Sequence, residues 1–106
     1  MLIVSTEQIT GKELQTLGLV IGNTIQAKNI IRDFTQALRQ IVGGELKAYN
    51  DMITAARRIA TDRMIEEAKK MDADAIVGVR YTTSAVAANA SEIVVFGTAV
   101  KFLGDK

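Results

Sequence analysis

One stretch limits what this chain can become. Over residues 45–71, Leu46, Tyr49, Ile53, Ala56, Ala60, Met64, Ala68 and Met71 recur every three or four positions. That spacing keeps an apolar stripe on one face of a helix, the condition for docking it on a core. No other segment is long enough to cover the strand-like stretches before and after it, so a helical lid over a floor of strands is expected.

The flanking stretches read as strands because their apolar residues alternate. Over residues 17–28, Leu19, Ile21, Asn23, Ile25 and Ala27 share one face, and Val20, Gly22, Thr24 and Gln26 share the other. Gly18 and Gly22 interrupt this strand, and Gly inside a strand marks a bulge, a bend, or the close approach of another backbone, a ligand or a partner subunit. Over residues 75–86, Ala75, Val77, Val79 and Tyr81 alternate with Ile76, Gly78, Arg80 and Thr82; over residues 92–103, Val94, Phe96, Thr98, Val100 and Phe102 oppose Ile93, Val95, Gly97, Ala99 and Lys101. The small residues 87–91 between these two runs predict an antiparallel hairpin. Residues 2–5 suit a short edge strand with no partner assigned, followed by a turn at Thr10, Gly11 and Lys12.

Between the first long strand and the lid the period changes. Ile30, Phe34, Ala37, Leu38 and Ile41 mark a short amphipathic helix over residues 30–42, closed by Gly43 and Gly44. Glu45 then opens the long helix with its charge at the positive end of the dipole, worth about 0.3–1 kcal/mol. The glycine pair could offer backbone amides to an anion, but Glu45 would repel a phosphate there and no phosphate-loop lysine follows. At the other end, Asp72 and Asp74 place acids where the helix dipole disfavours them. The 106 residues make one domain, an α+β two-layer sandwich in which one long and one short helix cover a small antiparallel sheet.

Composition narrows the chemistry. The chain has no Cys and no His, which removes disulfides, thiolate nucleophiles, the commonest general base and the commonest transition-metal ligands together. Thirteen basic side chains face twelve acidic ones, interspersed, for a net charge of +1. Arg57, Arg58 and Arg63 form the one basic cluster, and with Asp62, Glu66 and Glu67 beside them they read as a solvated helix face, so no nucleic-acid partner is expected. Nothing approaches the ~18 apolar residues of a membrane span, and the N-terminus lacks a basic flank, so the expected setting is cytoplasmic. Ser5, Ser84 and Ser91 have no His to activate them, and Asp62 with Glu66 reads as part of a surface ion-pair array. A non-enzymatic protein without a cofactor is the expectation.

The order and spacing of Arg32-Asp33, Ile41-Val42-Gly43-Gly44-Glu45, Tyr49, Ala56-Arg57, Met64, the run from Ala73 to Arg80, and Gly97-Thr98-Ala99-Val100 resemble the YbjQ-like family of small bacterial and archaeal proteins. The resemblance covers nearly the whole chain. It implies a dodecin-like β-α-β-β subunit, with extra short strands that join neighbours into a ring, typically a homopentamer, so the implied partner is the chain itself. Unpaired sheet edges and apolar faces larger than the helices can cover agree with association. The family also carries a heavy-metal-binding label. Soft metals prefer thiolate and imidazole, which this chain lacks, and Met64 and Met71 lie on the apolar stripe, so no metal site is expected.

Within that reading, the polar residues expected at a subunit interface or ligand site are Asn23, Arg32, Asp33, Glu45, Arg80 and Glu92. Arg80 stands out because a charge in mid-strand must reach solvent or find a carboxylate. The competing expectation is a hard cation held by Glu45 or Glu92, repeated around a ring axis.

Overall fold

A computed structural model describes residues 1–27, 45–87 and 90–105, with side-chain detail over 1–25, 50–84 and 92–104. The short helix expected over residues 30–42 and its Gly43-Gly44 terminus lie outside the described residues. The elements are β1 (Leu2–Ile3), β2 (Lys12–Ala27), α1 (Glu45–Lys70), β3 (Ala75–Ala87) and β4 (Ala90–Asp105).

The strands form one sheet in the order β1-β3-β4-β2. The expected hairpin is present: β3 and β4 run antiparallel, and their pairing reaches Ala87 and Ala90, into the five-residue turn predicted over residues 87–91. β2 pairs antiparallel with the other edge of β4 and begins five residues earlier than its alternation suggested. The sheet is nonetheless mixed, because β1 pairs in parallel with β3. An N-terminal strand this short takes its direction from the available edge and not from its own pattern. Val4 extends the pairing by donating to the Ile76 carbonyl and accepting from the Val79 amide.

The lid docks as its period requires. Ala56, Ala60, Met64 and Ala68 are buried against Val20, Ile76, Val79, Ile93, Val95 and Ala99. The helix runs antiparallel to β2. Thr24 Oγ1 donates to the Ala56 carbonyl at 3.2 Å, and a Cβ built on Gly22 would stand 2.0 Å from the Ala60 carbonyl oxygen and 2.5 Å from the Met64 amide nitrogen. Of the meanings a strand glycine can carry, Gly22 therefore has close approach of a backbone, and that backbone is the chain's own helix. Met71 lies past the helix end and is 37% exposed instead of buried, although its methyl still reaches toward Gly18. No described helix is long and apolar enough to cross a membrane.

Register shifts break the simple alternation at four places, and two of them decide which side chains reach the open face. In β2 the register slips between Thr16 and Gly18, so that Leu17 and Gly18 together face Ala99. In β3 it slips between Val77 and Arg80, leaving Gly78 and Val79 opposite Gly97, with Gly78 at φ +61° as a left-handed bulge residue requires. This second bulge corrects the alternation expected for residues 75–86. Val79 joins Ile76 on the helix side, whereas Arg80, which uninterrupted pleating would have placed there, turns to the open face opposite Phe96. Burying a lone guanidinium under the helix would be very costly, and one extra residue avoids it.

The acids after the helix are accommodated. The Ala73 amide donates to the Ala68 carbonyl and the Asp72 amide to the Lys69 carbonyl, a Schellman closure with Asp72 in the left-handed region at φ +59°. Lys101 Nζ donates to the Asp72 carbonyl at 2.9 Å and to its carboxylate at 3.1 Å, answering the charge that the dipole disfavours. Asp74 accepts from the Phe102 amide at 2.7 Å. The lysine is held above its ordinary value chiefly by the Asp72 hydrogen bond, with the Asp72 and Asp74 charges adding and desolvation opposing. Its contribution to stability is therefore complete below its ordinary pKa of 10.5 and is lost as pH rises through the higher folded value. Asp72→Gly removes a left-handed Cβ penalty of about 0.5–1 kcal/mol but also the carboxylate partner of Lys101, so the urea midpoint is expected to rise by less than that penalty alone would give, at unchanged slope.

Candidate functional site

The face of the sheet away from α1 carries the candidate site. Its rows follow from the register. Leu19 pairs with Thr98, Ile21 with Phe96 and then Arg80, Asn23 with Val94 and then Thr82, and Ile25 with Glu92 and then Ser84. The N-terminal segment covers only one end, where Val4 and Ile9 pack on Ala75, Val77 and Val100. Beyond that cover the large apolar residues stand in solvent: Leu19 is 65% exposed, Ile25 60%, Ile21 49% and Phe96 37%.

Two of the expected site residues lie on this face, at different places. Arg80 Nη1 donates to the Ser5 carbonyl at 2.8 Å and to the Val79 carbonyl at 3.0 Å, so the guanidinium ties the N-terminal segment to the bulge. Its Nε and Nη2 have no partner among the described residues. Glu92 is half-buried two rows along β4 and accepts from Asn23 Nδ2 at 2.9 Å across the strands. On the helix side, Arg63 Nη1 donates to the Asn23 carbonyl at 2.7 Å, covering one acceptor of β2. Arg32 and Asp33 lie outside the described residues. Glu45 is the first residue of α1, and its side chain is likewise outside them.

Beside Arg80 the open face holds a hollow of about 410 Å³ that the pattern of residues had not marked. Glu7, Thr16 and Thr98 line it with Arg80, over Val77 and Val100. Thr16 was missed because β2 was started at residue 17; the alternation of Leu14 and Thr16 with Glu13 and Gln15 was the available signal. Glu7 carried none, since its place depends on how the N-terminal segment crosses the sheet.

On the helix side, the Tyr81 hydroxyl lies 2.9 Å from Thr61 Oγ1, whose own proton goes to the Arg57 carbonyl at 2.7 Å. Arg57, Arg58 and Asp62 flank this pair in a shallow groove of mixed charge. The described residues contain no group of three His, Cys, Asp or Glu side chains able to hold a metal ion. Asp72 and Asp74 are engaged by Lys101 and by the Phe102 amide.

Among the described residues, the fold and face define a class: small α+β proteins in which a helix covers one side of a four-stranded mixed sheet and the other side exposes apolar residues. The chain belongs to the YbjQ family, whose model, described as "Putative heavy-metal-binding", matches residues 1–103. A UPF0145 protein of Clostridium novyi is 54% identical over 97% of this chain and 100% of its own length. UPF0145 proteins of Halorubrum lacusprofundi and Methanosarcina acetivorans are 54% and 51% identical, covering 92% and 97% of this chain and 94% and 98% of their own. A crystal structure of a protein of unknown function in the DUF74 family, from Pediococcus pentosaceus, superposes with a TM-score of 0.66 over 96% of this chain and 97% of that one, at 16% identity. That likeness bears on the fold alone. The family description names heavy metals, and the donor set of this chain does not fit a thiophilic ion: it has neither thiolate nor imidazole, and its described carboxylates do not gather.

Proposed function

We propose that this chain is the subunit of a non-enzymatic homo-oligomer, a dodecin-like ring closed through its open sheet face and edges, with small-ligand sites on that face. The apolar open face carries the reading: Leu19, Ile25, Ile21 and Phe96 stand 65%, 60%, 49% and 37% exposed on it. The exposed apolar residues of β2 and β4 lie beside the outer edge of β2, a long edge strand of the kind that recruits another chain. A face-and-edge contact between unlike surfaces closes into a ring, and the family resemblance supports five subunits.

Native mass spectrometry tests this directly. The expected species is a pentamer of the 11.5 kDa chain. Ile21→Lys, which places a charge on the open face without touching the helix side, should shift the spectrum to monomer while leaving the far-ultraviolet circular dichroism unchanged. A monomeric wild type at micromolar concentration would overturn the assembly.

Cation binding is the second reading. Glu92 is a described carboxylate on the open face, and a ring would repeat it around an axis and turn one weak oxygen ligand into several. Calorimetric titration with Mn²⁺ and Ca²⁺ decides it; absence of heat at millimolar metal removes it.

A further inference from the structure

We propose that the hollow beside Arg80 binds a small zwitterion with a short aliphatic body, a compound of the amino-acid class. The hollow is complete within one chain, so this inference goes beyond the assembly reading and does not depend on it.

Four features of the hollow select this class together. At about 410 Å³ it lies within the ordinary range for small-molecule sites. Half-buried Leu14, with Val77 and Val100 showing only 6% and 2% of their surface, gives the hollow an apolar lining for a short aliphatic group. Two opposite charges share the rim: the Arg80 guanidinium, fixed through Nη1 by the Ser5 and Val79 carbonyls, and the Glu7 carboxylate, which has no partner among the described residues. Anchoring one nitrogen of a guanidinium leaves the others in a set direction, which favours a carboxylate over a spherical anion. Thr16 and Thr98 line the same hollow, and their hydroxyls can donate or accept.

The same lining argues against other ligands. No aromatic residue lines the hollow, so a nucleobase would find no stacking surface. Its single carboxylate is too few oxygen ligands for a divalent cation, and that charge would oppose a phosphate dianion beside Arg80. A carboxylate on Arg80 with an ammonium on Glu7 satisfies both charges at once, where either alone would leave one unanswered.

The test is a methyl NMR titration of the full chain with L-leucine, isovalerate, which lacks the ammonium, and isopentylamine, which lacks the carboxylate. L-leucine is expected to move the Val77 and Val100 methyl signals with a dissociation constant in the millimolar range, as suits so few atoms. Isovalerate and isopentylamine should each bind about tenfold more weakly, matching the loss of one charge-assisted hydrogen bond. Glu7→Gln should weaken L-leucine about tenfold and leave isovalerate unchanged, while Arg80→Lys weakens both. Glu7 is exposed and its side chain makes no bond among the described residues, so its variant keeps the test independent of Arg80's tie to Ser5. No methyl shift at about 10 mM L-leucine, or equal binding of the three probes, overturns the proposal. The oligomeric mass measured on the same samples reports on assembly separately.

Discussion

Gly22→Ala is expected to destabilise the fold by about 3 kcal/mol or more, the upper end of what overpacking costs, because the added methyl has nowhere to go. Its Cβ would meet the Ala60 carbonyl oxygen at 2.0 Å and the Met64 amide nitrogen at 2.5 Å. Both are backbone atoms of α1, so no side-chain rotamer relieves the clash. The helix must lift away from β2, and it then loses the contact of Ala56, Ala60 and Met64 with Val20, Ile93 and Val95. Urea unfolding at fixed protein concentration measures the effect, since subunit association makes stability concentration-dependent. A change within about 0.5 kcal/mol, the scale of an ordinary surface substitution, would mean that the helix does not seat on Gly22 as described.

Met64→Ala is the second large effect, with an expected loss of about 2–5 kcal/mol. Met64 is the largest side chain on the buried stripe and is 0% exposed; its neighbours on that stripe, Ala56, Ala60 and Ala68, are too small to move into the space it leaves. Deleting it removes the transfer free energy of its side chain and opens a cavity between helix and sheet. Met64→Leu nearly conserves volume and should cost less than about 1.5 kcal/mol. The pair of variants separates packing from any role for the sulfur, because a thioether function would be lost equally in both. Comparable losses in the two would contradict the packing account.

The elements themselves were legible in the residues. The three-to-four spacing of Ala56, Ala60, Met64 and Ala68 names the buried face of α1, and the two-residue spacing in β4 puts Ile93, Val95, Gly97 and Ala99 under the helix and Val94, Phe96, Thr98 and Val100 on the open side. Glycine inside β2 signalled a bulge or a close contact, and one of each is present, at Gly18 and Gly22. The candidate site was legible only in part. Arg80 was marked as a charge in mid-strand and Glu92 among the polar residues of an interface or ligand site, and both lie on the open face, but in different rows. Glu7, Thr16 and Thr98 were not marked: alternation could place Thr16 and Thr98 on a face, but nothing within their own strands shows which residues another segment brings beside them.

What the sequence determined by itself is each described helix and long strand and the faces along α1 and β4, because those follow from the helical and strand repeats within each segment. What only the tertiary structure decided is how the segments meet. β1 runs parallel to β3 because that edge was open to it. The extra residue at Gly78 and Val79 exists only relative to the partner position Gly97, and a single-residue slip exchanges every later side chain between faces. That slip carries Arg80 from beneath the helix to the open face, where it stands beside Glu7 over an apolar floor, and no spacing within β3 alone could have shown it.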